Sequence, residues 1–104
     1  VINYKLIHLS EFKSIGPRYN RANSQLIFIH KGDVLIEIAG KSIIKHDGES
    51  LHIPAKQLYK IYSMTDAEVL IVYSGQEEDI IEIKEDKKED TWPKQLNFQW
   101  KQIV

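Results

Sequence analysis

The stretch Gln25–Ser63, QLIFIHKGDVLIEIAGKSIIKHDGESLHIPAKQLYKIYS, decides the fold. Short apolar runs alternate with glycine turns at Gly32, Gly40 and Gly48, eight residues apart, and Pro54 closes the series. Gln25, Ile27 and Ile29 share one face of a strand, while Leu26, Phe28 and His30 share the other, because strand side chains alternate sides. Val34–Ala39 and Ser42–Lys45 follow as strands, and Leu51 and Ile53 alternate with Ser50 and His52. Pro54 ends that pairing because proline has no N–H to donate to a ladder. Gln57–Ser63 then reads as a further strand. Turns at this regular spacing predict an antiparallel β barrel or sandwich.

Outward from this stretch, residues 2–9 (INYKLIHL) read as an opening strand, and Ser10–Ile15 as a short polar connection. Gly16-Pro17 is expected to break any regular element, and Arg18–Ser24 to form a surface loop leading into a barrel mouth. Ala67–Ser74 (AEVLIVYS) is the most apolar β-branched run and is expected to be buried on both faces. No segment carries a helical period. From Gly75 the composition turns to dense alternating charge, with one strand-like island at Ile80–Lys84. Trp92, Leu96, Phe98 and Trp100 follow, and such an aromatic segment is expected to dock on the chain's own barrel or on a partner subunit.

One hundred and four residues predict one domain: a core at about 18–74, a charged loop at 76–90 and an aromatic segment at 91–104. The 14 basic and 15 acidic residues nearly cancel, so net charge gives no reason to bind nucleic acid or an anionic membrane. The absence of cysteine excludes a disulfide framework, a thiolate metal site and a cysteine nucleophile. No apolar run approaches the roughly 20 residues of a membrane helix and no leader pattern opens the chain, so a cytoplasmic location is expected.

The turn spacing and Pro54 resemble the cupin superfamily, whose members are small double-stranded β-helix, or jelly-roll, barrels. The second cupin motif is a glycine, five residues and a proline, then a further glycine, a histidine and an asparagine; Gly48 and Pro54 keep the first part, as GESLHIP. Gly32 resembles the glycine that ends the first motif. The resemblance spans about Arg18–Ser74 and implies an all-β RmlC-like fold. In metal-dependent cupins three histidines and a glutamate hold a divalent metal inside the barrel. Here the glutamate position falls on Gln25, and the first two histidine positions on Tyr19 and Arg21, or on Arg18 and Asn20 if the loop is one residue longer. The third falls on Tyr59 and the asparagine on Ser63. An arginine repels a metal, so no metal and no other cofactor is expected.

The resemblance then implies an inward set of Tyr19, Arg21, Gln25, Tyr59 and Ser63 among Ile27, Ile29 and Ile61. An apolar interior with a few convergent polar groups suits a small anionic or sugar-like ligand. A metal-independent binding module is therefore the first functional expectation. The second is a metal-independent sugar or keto-acid isomerase, epimerase or lyase, which needs a base; Tyr59, and His52 if it turns inward, are the candidates. The third is a homo-oligomeric interaction protein that works through its aromatic tail. A homodimer is expected in each case, since many cupins are homodimers.

Overall fold

The computed structural model describes residues 2–83. The described residues form nine strands, β1 (Ile2–Leu9), β2 (Ser14–Asn20), β3 (Gln25–Lys31), β4 (Val34–Ile38), β5 (Lys41–Lys45), β6 (Ser50–Ile53), β7 (Tyr59–Ser63), β8 (Ala67–Ser74) and β9 (Ile80–Glu82), with one 3-10 turn at Glu77–Asp79. The strands pair antiparallel in two sheets, ordered β1-β8-β3-β6 and β5-β4-β7-β2-β9. This is the antiparallel sandwich that the glycine spacing predicts and the jelly roll that the cupin resemblance implies. The aromatic segment 91–104 and the second half of the charged loop lie outside the described residues.

The alternation of the apolar residues builds the core. Ile27, Ile29, Val69 and Ile71 point inward from one sheet; Val34, Ile36 and Ile61 meet them from the other, all nearly inaccessible to water. Burying side chains of this size contributes on the order of 1.5–3 kcal/mol each. Gly32 serves the turn from β3 to β4 with a φ of 91°, and a Cβ there would collide with the backbone of Asp66 and Ala67. Only glycine satisfies both conditions.

Two local expectations change. The Gly16-Pro17 pair does not break the chain out of the sheet. Strand β2 runs straight through it, joined by a cis peptide bond. Ile15 pairs with Ile61 and Arg18 with Tyr59, so Gly16 and Pro17 stand against Lys60 alone and one extra residue of β2 is absorbed as a bulge. Gly16, at φ 95°, makes this feasible: a Cβ would stand 2.8 Å from the Tyr59 carbonyl oxygen. Arg18–Asn20 is therefore strand rather than loop.

The second change concerns which strand is covered on both sides. Strand β8 alternates buried and half-buried residues, because Glu68, Leu70, Val72 and Ser74 face outward from the four-stranded sheet. Strand β7 is the one buried along its whole length. On its outward side lie Lys60 and Tyr62, with the Lys60 ammonium 5.1 Å from the Tyr62 ring centre and the Tyr62 hydroxyl 3.3 Å from a Glu37 carboxylate oxygen.

Candidate functional site

Strands β2, β3 and β7 bring four polar side chains into the interior at one end of the sandwich. Arg18 and Asn20 alternate inward from the last turn of β2. Gln25 enters from the first residue of β3, flanked in register by Ile53 and Tyr73. Tyr59 opens β7 directly opposite Arg18. Arg18 is 8% exposed, Asn20 1%, Gln25 2% and Tyr59 1%. The end of β2 is pinned by a hydrogen bond from the Lys56 amide to the Asn20 carbonyl, 2.7 Å.

The chemistry of this cluster lies in what it leaves unsatisfied. Among the described residues, Arg18 Nε, Asn20 Nδ2, both side-chain polar atoms of Gln25 and the Tyr59 hydroxyl are buried with no hydrogen-bond partner. Asn20 is oriented without ambiguity: its Oδ1 accepts from the amides of Ala22 (2.9 Å) and Asn23 (2.8 Å), so its NH2 must point the other way. Arg18 makes no ion pair among the described residues; the ion pairs there are Lys5–Glu77, Arg21–Asp79, His30–Glu68 and His46–Asp33. A buried guanidinium and several idle donors are costly unless something completes them.

Burial pushes the Tyr59 phenol up to about 12. The positive charge of Arg18 and the nearby Gln25 amide pull the other way, and Glu82, opposite Arg18 on β9, adds to the rise. The amide is close enough to favour the phenolate, but neither group sits in good hydrogen-bond geometry. At neutral pH Tyr59 is therefore a hydrogen-bond donor rather than a base.

Of the expected inward set, the structure places Gln25, Tyr59 and Ser63 inside and leaves Tyr19 and Arg21 out. Tyr19 is half-buried opposite Ile81 on the other face of β2. Arg21 is exposed and binds Asp79 through Nε, 2.9 Å, which holds the Asp79 carboxyl below its ordinary range. The longer-loop count, which puts Arg18 and Asn20 inside, is the one that the β2 bulge enforces. Ser63 is wholly buried, but its hydroxyl is already engaged: it donates to the Ser10 carbonyl and accepts from the Lys13 amide at 2.9 Å, clasping the β1–β2 connection. His52 stands on the outer face of β6, opposite Leu26, and is exposed. It is thus on the far side of the sheet from Tyr59.

A groove of about 610 Å³ runs along the outside of the same end, lined by residues that include Pro17, Glu37, Ile38, Leu58, Tyr59 and Lys60. Of the cluster, Tyr59 lines it and Arg18, Asn20 and Gln25 do not.

These positions can be set against known proteins. No family model matches the chain, and no curated protein matches it. Solved structures do. A cupin superfamily protein from Desulfitobacterium hafniense is 17% identical with a TM-score of 0.64, over 68% of this chain and 64% of that one. An RmlC-like cupin from Shewanella frigidimarina is 17% identical with a TM-score of 0.69, over 75% and 69%. Oxalate oxidase in complex with the substrate analogue glycolate is 16% identical with a TM-score of 0.72, over 79% and 46%. The chain thus spans less than two thirds of the length of two of these three. With two antiparallel sheets in this order and these neighbours, the chain has the cupin fold.

The fold implies a metal, and the residues present do not fit one. A guanidinium occupies the cluster, Asn20 has turned its oxygen away, and no group of three or more His, Cys, Asp or Glu converges among the described residues. Arginine cannot lose its proton to become a ligand.

Proposed function

We propose that this chain is a metal-independent binding protein of cupin fold whose ligand is a small anion, a carboxylate in the first instance, received by Arg18, Asn20, Gln25 and Tyr59. The observation that carries this reading is the set of buried, unpartnered polar atoms at the mouth of the barrel. Donors outnumber acceptors there: Arg18 Nε, Asn20 Nδ2, Gln25 Nε2 and the Tyr59 hydroxyl donate, while Gln25 Oε1 and the Tyr59 oxygen accept. The complement of such a set is acceptor-rich and negative. A carboxylate offers about four lone-pair sites and a charge for the guanidinium. The glycolate bound by the oxalate oxidase of the same fold is a ligand of this type. The unpartnered atoms are closed off from solvent in this structure.

An isomerase or lyase reading gains nothing from this geometry. Its best base, His52, faces away, and Tyr59 holds its proton.

Thermal shift with glycolate, oxalate and succinate, against their neutral amides and neutral sugars, tests the proposal. A carboxylate at about ten times its dissociation constant should raise Tm by about 5 °C or more. Arg18→Gln should abolish the rise and Arg21→Gln should keep it. A carboxylate response that survives Arg18→Gln, or a response to the amides and sugars alone, overturns the anion reading. Silence across the whole panel overturns binding in this cluster.

A further inference from the structure

Strand β9 brings a fixed negative charge to the rim of the polar cluster. It is the edge strand of the five-stranded sheet, next to β2, and Glu82 stands directly opposite Arg18. Residues paired across two antiparallel strands point to the same side of the sheet, with Cα atoms about 4.5–5.5 Å apart. Glu82 therefore shares the inward side with Arg18. It is exposed where Arg18 is buried, because no described strand flanks β9 on its far side. Backbone contacts hold it there. The Arg21 amide donates to the Asp79 carbonyl at 2.9 Å just before β9, and the Ile83 amide to the Pro17 carbonyl at 2.8 Å just after it. Glu82 Oε2 in turn accepts from the Gly16 amide at 3.2 Å, at the bulge that turns Arg18 inward. Burial is the main reason that the Tyr59 phenol is raised, and Glu82 adds to the rise, so the field of this carboxylate reaches into the cluster.

We infer that Glu82 sets the charge selectivity of the site, so that it takes small monocarboxylates in preference to dicarboxylates. This rests on the carboxylate reading above and adds the class of carboxylate. Arg18 and Glu82 together carry no net charge. A monoanion places its one charge on the guanidinium. A second carboxylate on the same small molecule finds no second guanidinium among Arg18, Asn20, Gln25 and Tyr59, and Glu82 repels it. Arg21 does not receive it either, since its Nε is bonded to Asp79 at 2.9 Å. At about 7 Å, with an effective dielectric between the ~20 of a protein surface pair and the ~80 of water, each further negative charge is disfavoured on the order of tenfold. Hydrogen bonding selects in the same direction. Once one carboxylate has met the donors, Gln25 Oε1 and the Tyr59 oxygen remain as acceptors, which a second carboxylate cannot satisfy.

Isothermal titration calorimetry on the full chain at neutral pH and low ionic strength measures the outcome, with glycolate and propionate as monoanions and oxalate and succinate as dianions. The native chain should bind the monoanions about tenfold or more tightly than the dianions. Glu82→Gln should tighten dianion binding about tenfold more than monoanion binding, which brings the two classes level. Glutamine keeps an oxygen for the Gly16 amide, so the bulge is retained. Glu82→Ser removes the charge with a smaller side chain and should shift the preference in the same direction if glutamine disturbs the fold. Circular dichroism and cooperative melting of the variants establish that they fold. Glu11→Gln removes another exposed carboxylate, beyond the opposite end of β7 where its amide meets Asp66, and should leave the preference unchanged. Dianions bound by the native chain as tightly as monoanions overturn the inference. So does a preference that survives both Glu82 variants, or one that Glu11→Gln also removes. In these three cases carboxylates still bind and the site reading stands. No heat from any carboxylate, with the native chain or either Glu82 variant, overturns the site reading and this inference together.

Discussion

Arg18 and Tyr59 concentrate the unusual chemistry of this protein, and each makes a measurable prediction. A buried guanidinium without an ion pair opposes folding, because its desolvation is not repaid. Arg18→Met keeps the volume and removes the charge. It should stabilise the protein to urea by about 1–2 kcal/mol while abolishing any carboxylate response. A loss of stability instead would mean that the guanidinium is satisfied within the fold. Tyr59 predicts a pH dependence. Its phenol ionises near 10 in the unfolded chain and near 12 in the fold. Because the folded value is the higher one, the stabilising effect of the neutral phenol is fully present below pH 10. It is lost as pH rises from about 10 to about 12. Absorbance at 295 nm should show a late tyrosine step, and Tyr59→Phe should remove it. An unchanged titration curve in Tyr59→Phe would count against the buried, neutral phenol.

At the scale of the element, β2 and the connection before it decide the site. The bulge at Gly16-Pro17 turns Arg18 and Asn20 inward, where an unbulged count turns Tyr19 and Arg21 inward. Gly16 is indispensable to that turn. Gly16→Ala should cost about 2–3 kcal/mol, since a side chain at positive φ is strained and its Cβ meets the Tyr59 carbonyl. Ser63 holds the other end of the same connection. Ser63→Ala leaves the Lys13 amide without its hydroxyl acceptor and should cost about 1–3 kcal/mol by urea denaturation, with the carboxylate response unchanged. An altered ligand response in a stable Ser63→Ala protein would return Ser63 to the binding set.

For the whole molecule, the two sheets differ in what covers them. The interior between them is closed by isoleucine and valine and needs no partner. The outer face of β1-β8-β3 leaves large apolar side chains in water. The homodimer that the cupin resemblance implies would link folding to association, so that Tm depends on protein concentration. Tm of the native chain should then rise by several degrees between about 1 and 100 µM. A concentration-independent Tm would contradict the dimer.

Much of this architecture was legible in the sequence. Alternation in β3, β6 and β8 and glycines eight residues apart are local signals, and a period of two assigns each side chain to a face without reference to any neighbour. The cupin resemblance, counted back from Gly32 and forward from Pro54, implied that Gln25 and Tyr59 lie inside. What only the tertiary structure decided lies where the period is interrupted. A bulge shifts every later residue of a strand to the other face, and nothing local in SIGPRYN states how many residues it absorbs; that follows from the pairing of Ile15 with Ile61 and of Arg18 with Tyr59. Ser63 likewise occupies an inward position in any alternating reading, yet its hydroxyl serves a loop fifty residues earlier in the chain. The apolar run of β8 spoke for burial on both faces, and the sheet order left its outer row open because β8 lies between β1 and β3, with no described strand above them. Local alternation determines which residues can share a face; the long-range pairing determines which face is the inside and what each polar atom there finds to bind.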